Sequence, residues 1–462
     1  MATPDLPPRT GTEGRTPAVG FSRAAAPAVE SAPRLAVVLE CDRPLAGGSA
    51  HSLAEVDCVL LGRGSRRTAF RDRESRELRL ELPDAWVSVS HARIFRREDE
   101  LWITDPGSTN GTKVNGRPCM EACLQDGDVI QVGRSLLSFQ KAVPRAQPDD
   151  LKGEQPDPAG FATLSPALAE MVGALPAIAR SSLPVVVVGE SGTGKELVSR
   201  AIHSLSRRPG PFQALNCAAI PTTILESELF GARKGAFSGA TEDRPGLVRV
   251  ADHGTLLLDE VADLPLPAQA ALLRFLQESE VLPVGASRPV RVDVRVIAAT
   301  QTSLSSLVAR GRFRADLFAR LDAFTVTLPP LRERREDLGL LLAALLRKLA
   351  PDRCEEIRIA PDAAFSLLRH SWPLNVRELE HALGVALAVC DGSTLELAHL
   401  PEAVRNGAPP PPRGPEFREE LLALLRRYRG NVAEVARAFG KGRMQVHRWA
   451  RRYDIDLESF RR

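Results

Sequence analysis

The pattern of apolar and polar residues divides the chain into three kinds of segment. From Leu35 to about Ala142, short apolar runs such as LAVVLE, VDCVLLG and LWITD are separated by Gly, Asp and Asn, as in strands joined by turns. The runs PVVVVG, FQALN, GTLLLDE and DVRVIAAT then alternate with amphipathic stretches, and after Pro330 the pattern becomes helical. These patterns predict a multidomain chain: an all-β sandwich, an α/β domain with a parallel sheet and a helical lid, and an all-α domain.

Segments without such periodicity mark the predicted boundaries. Residues 1–33 are rich in Ala, Pro, Thr and Arg and are interpreted as a disordered leader. Residues 143–160 and 405–415 are rich in Pro and polar residues and are interpreted as linkers. The predicted domains are therefore 35–142, 162–404 with its lid from about 332, and 416–462.

Composition narrows the class of protein without identifying a partner. A chain of 462 residues with 44% hydrophobic content is long enough for several soluble domains. Its 61 Lys and Arg nearly balance its 58 Asp and Glu, so any nucleic-acid surface must be local. The seven scattered cysteines suit reduced thiols rather than a zinc site. The N-terminus lacks an apolar signal core and no apolar run reaches bilayer length, so a cytoplasmic protein without membrane association is expected.

A glycine-rich motif between a strand and a helix predicts a phosphate-binding loop. Its backbone N–H groups, the positive end of the following helix and a lysine would all face the phosphates of ATP. The predicted ATP-binding residues are Gly189, Glu190, Ser191, Gly192, Thr193, Gly194, Lys195 and Glu196. A glycine-rich turn without a ligand is the alternative. A later strand ends in Asp259 and Glu260, which are suited to holding Mg²⁺ and to polarising the attacking water.

Further motifs place this region in a known family. GESGTGKE, NCAAI, ESELFGARKGAFSGA, HGTLLLDE, FRADLFARL and WPLNVRELE resemble the AAA+ domain of sigma-54-dependent activators over about residues 162–404. The resemblance implies an ATPase whose partner is sigma-54 RNA polymerase. It also implies that one loop contacts sigma-54, formed by Gly235, Ala236, Phe237, Ser238, Gly239 and Ala240. A glycine-rich connector between helices is the alternative interpretation of that loop.

The same resemblance assigns roles to single residues. Arg314 and Arg320 correspond to arginine fingers that complete the site of a neighbouring subunit, which implies a homo-oligomeric ring, expected to be a hexamer, with a heptamer as the alternative. Asn216 corresponds to a residue that restrains Glu260, and Arg377 to a sensor of nucleotide state.

The sequence departs from the family pattern at four positions in this region. Ser238 replaces a threonine, and the other three departures replace an asparagine or a glycine at Gln301, Leu374 and His253. Ser238 keeps the hydroxyl, so contact with sigma-54 should survive with an altered affinity. None of the other three removes a residue that must touch phosphate or metal, so slower or differently coupled hydrolysis is their expected effect.

The front and back regions resemble two binding modules. GRG, SVSH and STNGT resemble the forkhead-associated (FHA) domain, which implies a phosphothreonine site with His91 as a brace; its ligands would be Arg63, Ser88, Thr109 and Asn110. The stretch from Arg63 to Ser88 is longer than usual in that family, and Val89 occupies an often polar position.

Residues 416–462 contain twelve Lys and Arg against seven Asp and Glu and resemble a Fis-type helix-turn-helix. The candidate DNA contacts are Arg443, Gln445 and Arg448. Lys441 and Gly442 depart from that pattern, and a basic helical bundle for oligomerisation is the alternative.

These features together predict a regulator that binds upstream promoter DNA and uses ATP hydrolysis to remodel the closed complex of sigma-54 polymerase. Recognition of a phosphothreonine peptide or protein would gate this activity. Two rivals stay open: an FHA adaptor or repressor whose AAA+ domain does not remodel, and an AAA+ chaperone acting on other substrates.

Overall fold

The computed structural model describes residues 31–144, 150–152, 161–236, 242–406, 414–428 and 430–438, and the single positions 455, 457 and 460. The chain forms two compact units that divide between Asn406 and Gly407. The first unit contains the predicted sandwich and the α/β region, and the second contains the C-terminal helices.

The first region is a sandwich of two sheets, which confirms the all-β prediction. Among the described residues its strands are Ser31–Glu40 (β1), Ser49–Ser52 (β2), Cys58–Arg63 (β3), Thr68–Asp72 (β4), Glu77–Leu82 (β5), Ala92–Arg97 (β6), Glu100–Thr104 (β7), Thr112–Val114 (β8), Arg117–Cys119 (β9), Glu121–Cys123 (β10), Val129–Val132 (β11), Ser135–Pro144 (β12) and Asp150–Lys152 (β13). One sheet has the order β13-β2-β1-β12-β11-β8-β9, and the other has the order β10-β7-β6-β3-β5-β4.

Strand β1 is buried on both of its faces. Successive side chains of a strand point to opposite sides. Leu35 and Val37 therefore pack into the core between the two sheets, whereas Ala36 and Val38 pack into a second core outside the sandwich. An uninterrupted apolar run such as LAVVLE suits a strand that has no solvent-facing side.

The structure places strand residues inside two of the three segments predicted to be irregular, 1–33 and 143–160. Strand β1 begins at Ser31, before the predicted start at residue 35. Strand β12 continues to Pro144, and Asp150–Lys152 pairs with the edge strand β2. The paired strand satisfies backbone groups that an open sheet edge would leave exposed. The polar composition of residues 143–160 did not indicate strand β13, because the two side chains that hold this strand lie far away in sequence.

Those partners are His51 and Arg71, which both contact the carboxylate of Asp150. His51 Nδ1 lies 2.7 Å from Asp150 Oδ1, and Arg71 Nη2 donates to the same oxygen at 2.9 Å. Burial alone would raise the pKa of Asp150, but these hydrogen bonds lower it to about 2. The carboxylate is thus a fixed anchor between the segment after the sandwich and the strand edge.

The α/β region is built on a parallel sheet, as predicted. Among the described residues its strands are Val185–Val188 (β14), Phe212–Asn216 (β15), Thr255–Asp259 (β16), Arg295–Thr300 (β19) and Phe324–Thr327 (β20), in the order β15-β16-β19-β14-β20. Two short strands, Glu280–Val281 (β17) and Val290–Arg291 (β18), form a hairpin between β16 and β19. Because the strands are parallel, Asn216 and Asp259 end at the same edge as the loop after β14.

Helices cover this sheet and form the lid. The helices of the α/β region are Pro166–Arg180 (α1), Lys195–Ser206 (α2), Thr222–Phe230 (α3), Leu247–Val250 (α4), Leu266–Glu278 (α5), Leu304–Ala309 (α6) and Ala315–Leu321 (α7). The lid contains Leu338–Leu349 (α8), Pro361–Arg369 (α9), Asn375–Val389 (α10) and Glu402–Arg405 (α11), with short strands Arg358–Ile359 (β21) and Thr394–Leu395 (β22). Within the described parts of the chain, the structure contains no helix both long and apolar enough to cross a bilayer.

The second unit contains two described helices, Gly414–Arg427 (α12) and Val432–Ala438 (α13). Gly430 adopts a positive φ of 71° between them. The side chain of Asn431 accepts hydrogen bonds from the N–H groups of Ala433 and Glu434. Gly430 therefore ends the first of these helices and Asn431 caps the second.

Two adjacent acidic residues are buried at the start of the lid. Glu336 is 2% exposed and Asp337 is 1% exposed. Burial, and after it the charge of Asp337, raise the pKa of Glu336 from 4.5 to about 7, against the opposing effect of the charges of Arg34 and Arg334. The pKa of Glu336 is higher in the folded chain than in the unfolded chain. The free energy of unfolding that protonated Glu336 contributes is therefore lost as pH rises from 4.5 through 7.

Glu336→Gln should therefore raise the free energy of unfolding, relative to the wild-type chain, more at pH 8 than at pH 5. The shift corresponds to about 3 kcal/mol between these conditions, at about 1.4 kcal/mol per pKa unit. Denaturant midpoints of the full chain at both pH values measure it, with Glu355→Gln at an exposed lid position as the control. Equal pH dependence of the two variants would contradict the effect assigned to burial.

Candidate functional site

The phosphate-loop motif lies between β14 and α2, as predicted. Strand β14 ends at Val188 and helix α2 begins at Lys195. Gly192 and Gly194 have φ values of 76° and 106°, in the region that residues with a Cβ rarely adopt. A Cβ on Gly192 would also lie 2.1 Å from the carbonyl oxygen of Leu374. Backbone curvature and contact with the lid therefore both require glycine here.

The side chain of Lys195 lies inside this loop. It is 7% exposed, and its Nζ donates to the carbonyl oxygens of Gly189 at 3.0 Å and Glu190 at 3.3 Å. Nζ also lies 3.6 Å from Oε1 of Glu260. The loop motif and the acidic end of β16 thus meet around one ammonium group, which is the cation that a nucleotide phosphate needs.

Asp259 and Glu260 have different partners. Burial and the adjacent Glu260 charge raise the pKa of Asp259, and the Lys195 charge lowers it. Asn216 donates to Asp259 Oδ2 at 3.5 Å, because the two residues are register partners on β15 and β16. Glu260 turns away in a left-handed conformation, with φ of 52°, and accepts a 2.6 Å hydrogen bond from Gln301 Nε2.

This geometry differs from the expectation that Asn216 restrains Glu260. The side chain that donates a hydrogen bond to the Glu260 carboxylate is that of Gln301, which follows the end of β19. The sequence identified position 301 only as a departure from the family asparagine. A glutamine is one methylene longer than an asparagine. This extra length is the sequence feature that could have indicated the contact with Glu260.

The lid contacts the phosphate loop through side chains that sequence analysis did not select. Arg332 donates to both carboxylate oxygens of Glu190 at 2.7 Å, a bidentate pair with strict geometry. Arg334 donates to the carbonyl oxygen of Thr193 at 3.1 Å, and Asn375 donates to that of Ser191 at 2.9 Å. The run LRERRED after Pro330 is the sequence signal for this clamp.

The predicted sensor Arg377 joins the same contact. Its Nη1 donates to Ser191 Oγ at 3.1 Å.

Leu374 has a φ of −105°, so its backbone needs no glycine. His253 does occupy a glycine-like conformation, with φ of 58°, which costs roughly 1–2 kcal/mol.

The predicted arginine fingers lie on the surface away from these contacts. Arg314 pairs with Asp316 through hydrogen bonds of 3.0 and 2.7 Å. Arg320 donates weakly to the carbonyl oxygen of Leu276 at 3.3 Å. Both side chains are exposed, which leaves them accessible to a neighbouring chain.

Only the base of the predicted sigma-54 loop falls within the described residues. Phe237, Ser238, Gly239 and Ala240 lie outside them, as do Arg443, Gln445 and Arg448. Gly235 has a φ of 81°. A Cβ on Gly285, in the β17–β18 hairpin, would lie 2.8 Å from the Cβ of Ala236. The base of the loop therefore packs directly on that hairpin.

The four predicted phosphothreonine ligands converge at one end of the sandwich. The N–H of Arg63 donates to the carbonyl oxygen of Ser88 at 3.0 Å. The N–H of Thr109 donates to Ser88 Oγ at 3.1 Å. Asn110 donates to the carbonyl oxygen of Trp86 at 2.8 Å. The extra length between Arg63 and Ser88 is accounted for by the β4–β5 hairpin.

Two buried side chains shape these loops. His91 is fully buried, with Nδ1 accepting the Ser88 N–H at 2.9 Å and Nε2 lying 3.3 Å from the Gly111 carbonyl oxygen, which confirms its predicted bracing role. Burial would raise the pKa of Asp105, but hydrogen bonds from Ser108 and Gly107 lower it to about 2. The STNGT loop is thus organised before any ligand binds.

The comparisons with known proteins agree with this architecture. Family models match the FHA domain at residues 59–133, the sigma-54 interaction domain at 161–327 and the AAA+ ATPase lid domain at 332–417. The transcriptional regulatory protein GlrR of Escherichia coli is 39% identical over 306 residues, which cover 65% of this chain and 69% of GlrR. This chain belongs to the family of sigma-54-dependent transcriptional regulators.

Other members of the family show how much of each protein is shared. UacR of Escherichia coli, whose name describes a uric acid sigma-54-dependent transcriptional regulator, is 50% identical over 234 residues, which cover 50% of this chain. The chain spans only 39% of UacR and 45% of the acetoin catabolism regulatory protein of Cupriavidus necator. Crystal structures of NtrX from Brucella abortus with ADP and with ATP are 32% identical, with a TM-score of 0.50, covering 64% of this chain and 70% of NtrX.

Gln301→Ala should lower the rate of ATP hydrolysis while leaving nucleotide affinity within about twofold. Loss of the 2.6 Å hydrogen bond frees Glu260, which the sequence predicts to polarise the attacking water, and misplacing such a group costs about tenfold or more in kcat. Steady-state hydrolysis and equilibrium nucleotide binding measure the two effects separately. Gln125→Ala, at an exposed position of the sandwich, is the matched control, and an unchanged kcat for Gln301→Ala would exclude the positioning role.

Proposed function

We propose that this regulator is an ATP-driven activator that binds upstream DNA and remodels the closed complex of sigma-54 RNA polymerase. The observation that carries the proposal is the meeting of Lys195, Asp259 and Glu260 at one edge of the parallel sheet, in a chain that contains the sigma-54 interaction domain. Phosphate-binding, metal-holding and water-activating groups are thereby combined beside a polymerase-contacting region.

Each group has a defined task in hydrolysis. The ammonium of Lys195 and the N-terminus of α2 attract the terminal phosphates. Asp259 and the loop residues would hold Mg²⁺, which neutralises phosphate charge when it is bound. Glu260, held by Gln301, orients the attacking water and accepts its proton.

The exposed Arg314 and Arg320 would serve the site of an adjacent subunit. Charge that develops on the transferred phosphoryl group needs a cation, and an arginine supplied by a neighbour makes hydrolysis depend on assembly. Such head-to-tail contacts close into a ring, for which a hexamer is expected. ATP hydrolysis would then move the Phe237 loop, whose base at Ala236 rests on the β17–β18 hairpin.

The FHA module would gate this cycle by binding a phosphothreonine peptide. Arg63, Ser88 and Thr109 supply a guanidinium, hydroxyl groups and amide donors, which suit a phosphate ester. Asn110 contacts the carbonyl oxygen of Trp86, and the Arg134 guanidinium lies 5.6 Å from the centre of the Trp86 ring.

The backbone then continues this connection to the lid. The Arg134 carbonyl oxygen accepts the Cys41 N–H at 3.0 Å, and the Cys41 carbonyl oxygen accepts the N–H of Ile359 in the lid at 2.8 Å. These contacts connect the peptide site with the lid through few residues.

The second candidate is an FHA adaptor or repressor with an AAA+ domain that does not remodel. The bidentate pair of Arg332 with Glu190 favours this second candidate when the pair persists with nucleotide bound. Transcription in vitro from a sigma-54 promoter, with and without ATP, separates the candidates. ATP-dependent transcripts support the activator, ATP hydrolysis without transcripts supports an AAA+ chaperone, and neither activity supports the adaptor.

Phe237→Ala should reduce ATP-dependent transcription at least about tenfold while ATP hydrolysis stays within about twofold, because an apolar anchor is lost and the nucleotide site is not. Phe70→Ala is the matched control, because Phe70 is a 67% exposed phenylalanine on the sandwich. Full transcription by Phe237→Ala would remove the proposed polymerase contact.

Arg63→Ala should abolish the transcriptional response to a phosphothreonine peptide and leave basal ATP hydrolysis intact. Removing one charged hydrogen-bond donor from a phosphate site costs about 1.5–3 kcal/mol, or more than about tenfold in affinity. Arg73→Ala is the control, since Arg73 is exposed at the opposite end of the β4–β5 hairpin. A retained response in Arg63→Ala would refute gating through this site.

A further inference from the structure

The FHA sandwich and the lid share one hydrophobic core. A single buried cluster contains apolar side chains of both, namely Val38, Leu39 and Leu136 of the sandwich and Leu342, Leu346 and Leu367 of the lid. The backbones also approach closely, since a Cβ on Gly339 of α8 would lie 1.8 Å from the carbonyl oxygen of Val38. Contacts between independently moving domains are usually more polar than this. The sandwich is therefore held on the lid by a tight apolar contact.

The segment that follows β1, residues 40–47, is hydrogen bonded to the lid at two backbone positions. It contains one turn of 3-10 helix, Pro44–Ala46. The carbonyl oxygen of Cys41 accepts the N–H of Ile359 in β21 at 2.8 Å. The carbonyl oxygen of Leu45 accepts a hydrogen bond from Arg347 Nη2, in the last turn of α8, at 3.1 Å. The position of segment 40–47 and the position of the lid thus depend on each other.

One arginine near the phosphothreonine site holds segment 40–47 in place. Arg67 lies between β3 and β4, and its side chain is 10% exposed. Its Nη2 donates to the carbonyl oxygen of Ala46 at 2.8 Å, and its Nη1 donates to that of Gly47 at 2.9 Å. Nη1 also lies 3.1 Å from Oε1 of Glu40, a residue that is 4% exposed. The guanidinium therefore contacts both ends of segment 40–47.

The chemistry of these three contacts requires an arginine. Two carbonyl oxygens and a carboxylate need several donors on one rigid group, which a planar guanidinium supplies. The buried carboxylate of Glu40 would also be costly without a cation. Arg43 approaches Glu40 to 3.6 Å, but the Arg43 side chain is 52% exposed. Of these two cations, Arg67 is the more buried one and the one that also holds the carbonyl groups.

The turn that carries Arg67 also carries Arg63, the predicted phosphate ligand. Three residues separate the two arginines. A Cβ on Gly64, in this turn, would lie 2.7 Å from the Cβ of Glu81 in β5. Thr68, directly after Arg67, donates to Oε2 of the same glutamate at 2.9 Å. A phosphate bound by Arg63 would therefore act on the short turn that positions Arg67.

Helix α8 continues the path to the nucleotide site. It begins at Leu338, directly after the lid residues that contact the phosphate loop. One of these, Arg334, donates to the carbonyl oxygen of Thr193 at 3.1 Å. Arg347, which contacts segment 40–47, lies at the other end of the helix. A shift of α8 therefore acts on both contacts.

We propose that Arg67 is the positioning residue through which occupancy of the phosphothreonine site changes the affinity of the nucleotide site. It acts by holding segment 40–47 on the lid and does not itself bind the peptide. This inference rests on the proposed gating by the FHA module and assigns the path of that gating. Because coupling between two sites is reciprocal, bound ADP changes peptide affinity by the same factor by which the peptide changes ADP affinity.

The test measures peptide affinity of the full chain with and without saturating ADP. The probe is the phosphothreonine peptide that the wild-type chain selects from a pool with degenerate flanking residues, and its unphosphorylated form is the blank. ADP should change the affinity of the wild-type chain about fivefold or more. Arg67→Met should bind the peptide within about twofold of wild type without nucleotide, and the effect of ADP should fall below about twofold. Arg73→Met, at an exposed arginine of the sandwich, should keep the full effect.

Three results would overturn the proposal. An undiminished effect of ADP in Arg67→Met would exclude Arg67 from the path. Loss of peptide binding by nucleotide-free Arg67→Met would make Arg67 a peptide ligand instead. A wild-type chain that bound both ligands without coupling would leave no path to assign. If the wild-type chain selected no phosphothreonine peptide, the proposed gating would fail, and if it bound no ADP, the proposed ATPase would fail.

A double variant separates coupling from a loss of stability. Arg67→Met leaves the Glu40 carboxylate buried without its more buried cation, so adding Glu40→Gln should restore the free energy of unfolding. The coupling should stay lost, because the carbonyl oxygens of Ala46 and Gly47 still lack the Arg67 donors. Recovery of the coupling together with the stability would show that Arg67→Met acts through folding alone, and would overturn the proposal.

The lid offers a matched pair of variants at the other end of the path. Arg347→Met should also reduce the effect of ADP on peptide affinity, because it removes the hydrogen bond to Leu45. Lys348→Met is the control, since Lys348 pairs with Glu380 inside the lid at 2.6 Å. Equal coupling in these two variants would contradict a path through segment 40–47.

Amide hydrogen exchange tests the contact without any ligand. The N–H of Ile359 should exchange faster in Arg67→Met than in the wild-type chain or Arg73→Met, because its acceptor Cys41 lies in the released segment. Unchanged protection of Ile359 would overturn the proposal, even for a chain that selects no peptide.

Discussion

The structure depends on burial of strand β1 on both faces. Leu35 and Val37 complete the core of the sandwich, while Ala36 and Val38 belong to the core of the lid. One strand therefore stabilises two domains, and neither core is complete without it. Since burial of apolar surface dominates folding energetics, separating the sandwich from the lid would expose a large apolar surface. The arrangement differs from a regulatory domain tethered by a flexible linker.

This constraint links the two binding functions of the chain. The phosphothreonine loops lie at the Cys41 end of β1. Near its other end, Gln140, the register partner of Arg34 on β12, donates to Glu336 of the lid. Both ends contact the lid, which in turn contacts the phosphate loop through Arg332 and Arg334. A signal at the peptide site and the occupancy of the nucleotide site can thus act on the same rigid element, as reciprocal coupling between two sites requires.

Local patterns in the sequence predicted much of this architecture. The periodicity of apolar residues predicted the sandwich, the parallel sheet and the lid, because strand and helix faces repeat at fixed intervals. Spacing also brought Lys195, Asp259 and Glu260 together, since parallel strands end at a common edge. The contact of Gln301 with Glu260, the clamp on Glu190 and the shared core could not be predicted in this way. They depend on side-chain reach and on surfaces distant in sequence.

The strand that follows the sandwich places the boundary of the module in an unexpected position. Asp150 is held by His51 and Arg71 across the sheet edge, and a shift of one residue would turn this carboxylate to the opposite face. A chimera that exchanged the sandwich at Pro144 would therefore remove its own edge strand. Natural or engineered recombination of this module is expected to preserve the chain through Lys152, together with the spacing between β12 and β13.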